Sequence, residues 1–251
     1  MKKEETMKVA LISGGTSGIG KETVFTLLEE GYCVATFSRD KENVDTLKEE
    51  LAKKVSPERF LAVTGDVSSS GSINDVVGQT IARFGRIDVL INNAGWGYFT
   101  DADHVDIDRF KKMVETNVIG VVDLTGKVIP HMKKQQSGLI INISSISGKR
   151  SWAQKGPYSA TKWGVMGYSE GLRNEMAPYG IKVCTICPGM VNTKFFSEEE
   201  LAKRTKARGQ LPAMLDPKDI GRVVRLICDQ DPQCSIWDIT VMPFRGPEDI
   251  P

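Results

Sequence analysis

The chain has 251 residues, with 40% hydrophobic and 26% charged residues and a formal net charge of +1. It has enough apolar residues for a large core, is too charged for a membrane protein, and carries no overall field that would draw it to nucleic acid or anionic lipid. Five cysteines scattered over this length do not read as a disulfide framework and fit a reducing compartment, so a cytoplasmic location is expected. The charged stretch Met1 to Lys8 precedes an apolar run of only Val9 to Ile12, too short for a signal-peptide core or a membrane span.

Short apolar, β-branched runs recur at Val9–Ile12, Cys33–Phe37, Phe60–Val63, Val89–Ile91, Leu139–Ile143, Val183–Ile186 and Ile236–Val241. Each has strand length. Between them lie segments with helical spacing, such as Val24, Leu27 and Leu28, or Ile73, Val76, Val77, Ile81 and Phe84. Strands apolar on both faces and separated by helices predict an α/β fold, a doubly wound, seven-stranded and mostly parallel sheet covered on both sides. No repeat or linker divides the chain, so one domain is expected over residues 1–251. Ligands of such sheets bind at the carboxyl ends of the strands, and functional residues are sought there.

Directly after the first run stands Ser13-Gly14-Gly15-Thr16-Ser17-Gly18-Ile19-Gly20, leading into a helix. Glycines there allow a tight turn and a close approach of backbone to a pyrophosphate, and the helix N-terminus offers free N–H groups and partial positive charge. This predicts dinucleotide binding by the turn that carries Gly14, Thr16, Ser17, Gly18 and Gly20. The second run ends in Ser38-Arg39-Asp40. A carboxylate at this place would bind the ribose 2′-hydroxyl of NAD, whereas Ser38 followed by the Arg39 guanidinium suits the 2′-phosphate of NADP. NADP(H) is therefore expected over NAD(H); the alternative is that Arg39 is a solvated charge and Asp40 takes the ribose.

The fifth run leads to Ser144-Ser145, and thirteen residues later Tyr158-Ser159-Ala160-Thr161-Lys162 follows Gly156-Pro157, a proline suited to a first helical turn. Tyr158 and Lys162, four apart, share a helix face. An ammonium beside the phenol is expected to lower its pKa from about 10 toward the working pH, so that Tyr158 acts as general acid or base while Ser145 donates a hydrogen bond to the substrate oxygen.

With these residues in order, the sequence resembles the short-chain dehydrogenase/reductase family in its compact form, with its Rossmann-type fold, across essentially the whole chain. The motifs that carry the resemblance are Gly14/Gly18/Gly20, Asp66-Val67, Asn92-Asn93-Ala94-Gly95, Asn117, Ser145, Tyr158, Lys162, and Pro188-Gly189 with Thr193. It implies that Ser145, Tyr158 and Lys162 are catalytic, with Lys162 also holding the nicotinamide ribose, and that Asn117 completes a tetrad by holding water. It further implies cofactor contacts for Asp66 and Val67 at the adenine, Asn93 at the adenosine ribose, Ile19 at the pyrophosphate and Thr193 at the carboxamide or phosphates, with Ala94, Gly95, Pro188, Gly189 and Val191 also binding cofactor. The activity implied is NADP(H)-dependent hydride transfer between a carbonyl compound and a secondary alcohol, in a homodimer or homotetramer.

A substrate lid is expected around residues 190–215, with Phe195, Phe196 and Met214 as candidate lining; Gln154 and the segment Gly95 to Tyr98 are candidate substrate contacts. The chain lacks the Asp-Gly-Gly ending that resembles 3-oxoacyl-thioester reductases, which argues against that narrower activity. A cofactor-sensing protein without turnover is the alternative from another class, and the intact Ser145, Tyr158 and Lys162 argue against it. Cys184 and Cys187 form a CxxC, but in a strand residues three apart point to opposite faces, so no shared metal is expected. His104 and His131 stand among charged residues and are read as solvated. No metal site is expected.

Overall fold

Each of the seven apolar runs forms a strand in the computed structural model, which describes residues 7–208 and 213–244. In chain order the elements are β1 (Val9–Ser13), α1 (Gly18–Glu29), β2 (Cys33–Ser38), α2 (Lys41–Ala52), β3 (Phe60–Thr64), α3 (Ser70–Phe84), β4 (Val89–Asn92), α4 (Ile107–Val114), α5 (Gly120–Gln135), β5 (Gly138–Ile143), α6 (Gly156–Met176), β6 (Ile181–Pro188), α7 (Glu198–Arg208), α8 (Pro217–Cys228) and β7 (Asp238–Val241). A π-helical turn, Glu115–Ile119, joins α4 to α5, and a 3₁₀ turn, Ile146–Gly148, follows β5. The last strand is shorter than its apolar run, because Ile236 and Trp237 precede the pairing of Asp238 with Thr185.

The strands lie in the order β3-β2-β1-β4-β5-β6-β7, and every pairing is parallel, where a mostly parallel sheet was expected. Strand alternation sorts the core into two layers. Ala10, Ile12, Val89, Ile91, Ile141 and Cys184 face Val24, Leu27, Leu47, Ile220 and Val224 of α1, α2 and α8. Leu11, Leu90, Ile140 and Val183 face Ile73, Val77, Leu124, Val128 and Leu172 of α3, α5 and α6. Cys187 lies within 3.5 Å of Met166 on α6, so the two cysteines of the CxxC do occupy opposite faces.

The order reverses between β1 and β4, because the chain leaves β3 at one edge and returns beside β1. This opens a crevice at their carboxyl ends, where such sheets bind ligands. Among the described residues no helix is long and apolar enough to cross a membrane, and no group of histidine, cysteine and acidic side chains is placed to hold a metal ion. The expected lid contains α7, and a bridge between Val191 and Leu215 closes its base; residues 209–212 within it lie outside the described residues.

Candidate active site

A cavity of about 410 Å³ opens at that crevice, running from Ser38 and Arg39 past Gly14 to Ile19 and on to Ser145, Tyr158 and Lys162. Its first wall is the glycine turn. Gly14 and Gly18 have φ of +71° and +52°, which a side chain rarely adopts. A Cβ on Gly20 would lie 2.2 Å from the Gly14 carbonyl oxygen, so only glycine lets the helix start this close to the strand. Ser17, the N-cap of α1, makes no side-chain capping bond, and the first turn carries no acidic residue. The free N–H groups at this helix end thus have no competing anion from the chain, a fit for the pyrophosphate of a dinucleotide.

The opposite wall is the segment after β4. The Ser13 hydroxyl accepts hydrogen bonds from the N–H groups of Asn93 (3.0 Å) and Ala94 (3.1 Å), while the Asn93 amide donates to the carbonyls of Ser13 and Gly14, both at 3.0 Å. These bonds tie the two sides of the crevice together. Asn93, Ala94 and Gly95 line it. Behind Gly95, the Asn117 amide accepts from the Trp96 N–H at 3.0 Å and donates to the Trp96 carbonyl at 2.8 Å and to Thr161 Oγ1 at 3.2 Å. Asn117 sits in the π-helical turn, a distortion that recurs at functional sites. Its side chain is spent on positioning this segment, and it does not line the cavity.

At the end beside β2, Ser38 and Arg39 line the cavity, and no ion pair is formed by Arg39 among the described residues. Asp40 is engaged elsewhere: it caps α2, accepting the Asn43 N–H at 3.0 Å. Val67 and Gly65 line the same end, while the Asp66 carboxylate accepts from the Ser68 N–H and hydroxyl beside it. Pro188, Gly189, Val191 and Thr193 line the far side, and Thr193 packs against Gly18, where a Cβ would meet its methyl at 2.9 Å.

Ser145, two residues past β5, is extended and caps the following 3₁₀ turn, its hydroxyl accepting the Ser147 N–H at 3.1 Å, and it lines the cavity. It stands close enough to Tyr158 to act on the phenol's pKa. Lys162, one turn along α6, donates from Nζ to the Ile143 carbonyl at 2.9 Å, and the same ammonium lies 5.8 Å from the centre of the Tyr158 ring. The expectation that Lys162 lowers the Tyr158 pKa is corrected here. Burial pushes the Tyr158 phenol up to about 12, opposed by the neighbouring Ser145 hydroxyl, and burial pulls Lys162 itself down to about 8. Desolvation outweighs a charge held 5.8 Å from the ring and already bonded to a carbonyl.

Tyr158 is buried under aromatic rings. Phe99 and Phe195 meet it edge-on, with centroids at 5.5 and 5.7 Å. Phe195 and Phe196 line the cavity, as do Trp96 and Gly95 of the segment expected to face substrate. Tyr98 does not: its hydroxyl accepts the Asp106 N–H and donates to the His104 carbonyl, turning it into a brace for the loop. Gln154 is exposed and donates to Asp101 at 3.0 Å, and neither it nor Met214 lines the cavity. Phe99, Thr116 and Lys155 line it without having been singled out. The run Trp96-Gly97-Tyr98-Phe99 carried the signal for Phe99, but alternation along a loop cannot say which ring turns inward.

The family model described as short chain dehydrogenase matches residues 8–204. A 3-ketodihydrosphingosine reductase of Bacteroides thetaiotaomicron is 39% identical over 198 residues, 79% of this chain and 69% of that protein. Among solved structures, a variant of actinorhodin polyketide ketoreductase with NADPH is 31% identical with a TM-score of 0.85, over 94% of this chain and 96% of that one. A 3-ketoacyl-(acyl-carrier-protein) reductase from Brucella melitensis complexed with NADH is 28% identical with a TM-score of 0.83, over the same shares. The chain therefore belongs to the short-chain dehydrogenase family, oxidoreductases that act on CH–OH groups with a nicotinamide cofactor.

Proposed function

We propose that the protein interconverts a carbonyl compound and a secondary alcohol, with NADP(H) as its preferred cofactor. The observation that carries this reading is that Ser145, Tyr158 and Lys162 line one continuous cavity with the glycine turn and Arg39. The nicotinamide, when bound, supplies or takes up the hydride.

The chain's own residues handle the proton and the charge on oxygen. Held at about 12, the Tyr158 phenol is protonated at neutral pH and is ready to give its proton to the oxygen of a carbonyl under reduction. A developing alkoxide is a stronger base than a phenolate, so the transfer is favourable even at this pKa. The Ser145 hydroxyl donates to the same oxygen and stabilises its growing charge. Lys162, whose ammonium is bonded to the Ile143 carbonyl, lines the same cavity and is placed to hold the nicotinamide ribose. In alcohol oxidation the proton moves back to Tyr158.

The preference for NADP(H) over NAD(H) rests on Arg39 at the adenosine end and on the engagement of Asp40 as a helix cap, which leaves no carboxylate directed at a ribose from this position. Residues Ile119, Val122 and Trp163 are large, apolar and exposed on one copy, which favours a homodimer or homotetramer in which a second copy covers them. The reaction is tested by following NADPH oxidation against ketones and aldehydes, with NADH in parallel. Turnover in the wild type that falls by at least about a thousandfold in Tyr158→Phe, with NADPH still bound, is the expected result. Undiminished turnover in that variant overturns the mechanism.

A further inference from the structure

The three phenylalanines around Tyr158 form a more specific feature than a greasy wall. Phe99, from the β4–α4 loop, meets the Tyr158 ring at 69°, and Phe195, from the segment between β6 and α7, meets it at 61°. Phe196 stacks on Phe99 with centroids 5.7 Å apart and 23° between planes, and packs edge-on against Phe195 at 5.1 Å. Phe99 and Phe195 lie 6.3 Å apart at 61°. The convergence depends on Gly97, where a Cβ would fall 2.7 Å from Phe99 Cζ and 2.8 Å from Phe195 Cζ.

These rings decide what can reach the phenol. Tyr158 is only 7% exposed, so a carbonyl reaches its hydroxyl by taking the place of part of the ring contacts over it. A small aliphatic ketone would forfeit those contacts and leave space unfilled, and a charged group would lose its water against aromatic faces. A planar ring attached near the carbonyl restores edge-to-face contact with what remains.

We propose that the substrate is an uncharged ketone or aldehyde carrying a planar ring close to the reacting carbon, with that ring gripped between Phe99 and Phe195 and backed by Phe196. This rests on the carbonyl-reductase reading above and names its substrate class.

The test compares phenylacetone, cyclohexylacetone, butanone and phenylpyruvate as substrates with saturating NADPH. The first two differ in planarity at nearly the same size, and the last adds a charge. The expected result is a kcat/KM for phenylacetone about threefold to tenfold above cyclohexylacetone and further above butanone and phenylpyruvate, the scale of one aromatic pair. In Phe99→Leu and Phe195→Leu, which keep an apolar side chain of lesser volume, the phenyl-over-cyclohexyl ratio falls toward one. Butanone or phenylpyruvate matching phenylacetone, or an unchanged ratio in both variants, overturns the proposal while leaving the reductase reading intact.

A second measurement separates the two readings. Calorimetric titration of the protein loaded with oxidised NADP against phenylacetone reads the ring site without turnover, because the oxidised cofactor has no hydride to give the ketone. Saturable binding that weakens in Phe195→Leu, with no ketone reduced, keeps the ring site and sinks the reductase reading. Absence of saturable binding sinks the ring site.

Discussion

Asn117 holds the Trp96 peptide at both ends, accepting from its N–H at 3.0 Å and donating to its carbonyl at 2.8 Å. The pair fixes the segment Asn93 to Gly95 that lines the crevice. Asn117→Ala removes three side-chain hydrogen bonds, two to Trp96 and one to Thr161, costing about 3 kcal/mol, and leaves the Trp96 groups without these partners. The expected outcome is weaker NADPH binding together with lower kcat, measured by fluorescence titration and initial rates. Asn117→Asp keeps the acceptor and loses the donor, so it should fall between the wild type and Asn117→Ala.

Arg39→Asp places a carboxylate where a 2′-phosphate is proposed to sit. NADPH affinity should drop at least about tenfold, while NADH affinity is held or improved, the change of sign acting on one cofactor only. Parallel titrations with the two cofactors read the ratio directly. An unchanged ratio would assign Arg39 to solvent.

Gly20→Ala drives a methyl to within 2.2 Å of the Gly14 carbonyl oxygen and 2.4 Å of the Asn93 amide nitrogen. Backbone cannot yield there without breaking the bond between them, so a loss of about 1–3 kcal/mol in stability is expected along with cofactor binding. Gly71→Ala, in the first turn of α3 with open space around it, serves as the contrast and should be neutral or stabilising. Urea unfolding of both variants makes the comparison.

Lys162 ties stability to pH. Its folded pKa is about 8 against an ordinary 10.5, so between these values the unfolded chain binds the extra proton and stability rises with pH. Below about pH 8 both states are protonated and the buried charge costs up to about 3 kcal/mol. Lys162→Met should therefore be more stable than the wild type near pH 7, with the gap closing by pH 10.5. Tyr158 acts in the opposite direction above pH 10, because its raised pKa makes the unfolded chain lose its proton first. It is present in both proteins and cancels in the difference. A gap that does not change between pH 7 and 10 would contradict the burial of a charged Lys162.

Much of the site was legible because its residues fall at fixed places relative to the sheet. Gly14, Gly18 and Gly20 follow the first strand, Ser38 and Arg39 stand at the end of the second, and Ser145 follows the fifth; all sit where parallel strands deliver their carboxyl ends. The four-residue spacing of Tyr158 and Lys162 placed both on one face of α6, and both line the cavity. The direction of the Tyr158 pKa was not legible, because spacing reveals a neighbouring charge but not how much water has been removed from both groups. Gln154 and Tyr98 misled for a related reason. In loops the side-chain direction follows hydrogen bonds to distant partners, Asp101 in one case and the backbone of His104 and Asp106 in the other.

The sequence by itself determined the seven strands, their helical crossovers and the residue types at their ends, since apolar period, glycine placement and helix spacing are local properties of the chain. Tertiary structure alone decided that the order reverses between β1 and β4, that Asn117 braces Trp96, and that Phe99, Phe195 and Phe196 meet over Tyr158. Those relationships join segments 21 to 97 residues apart, and their outcome depends on how packed layers exclude water and share space, which no local pattern encodes.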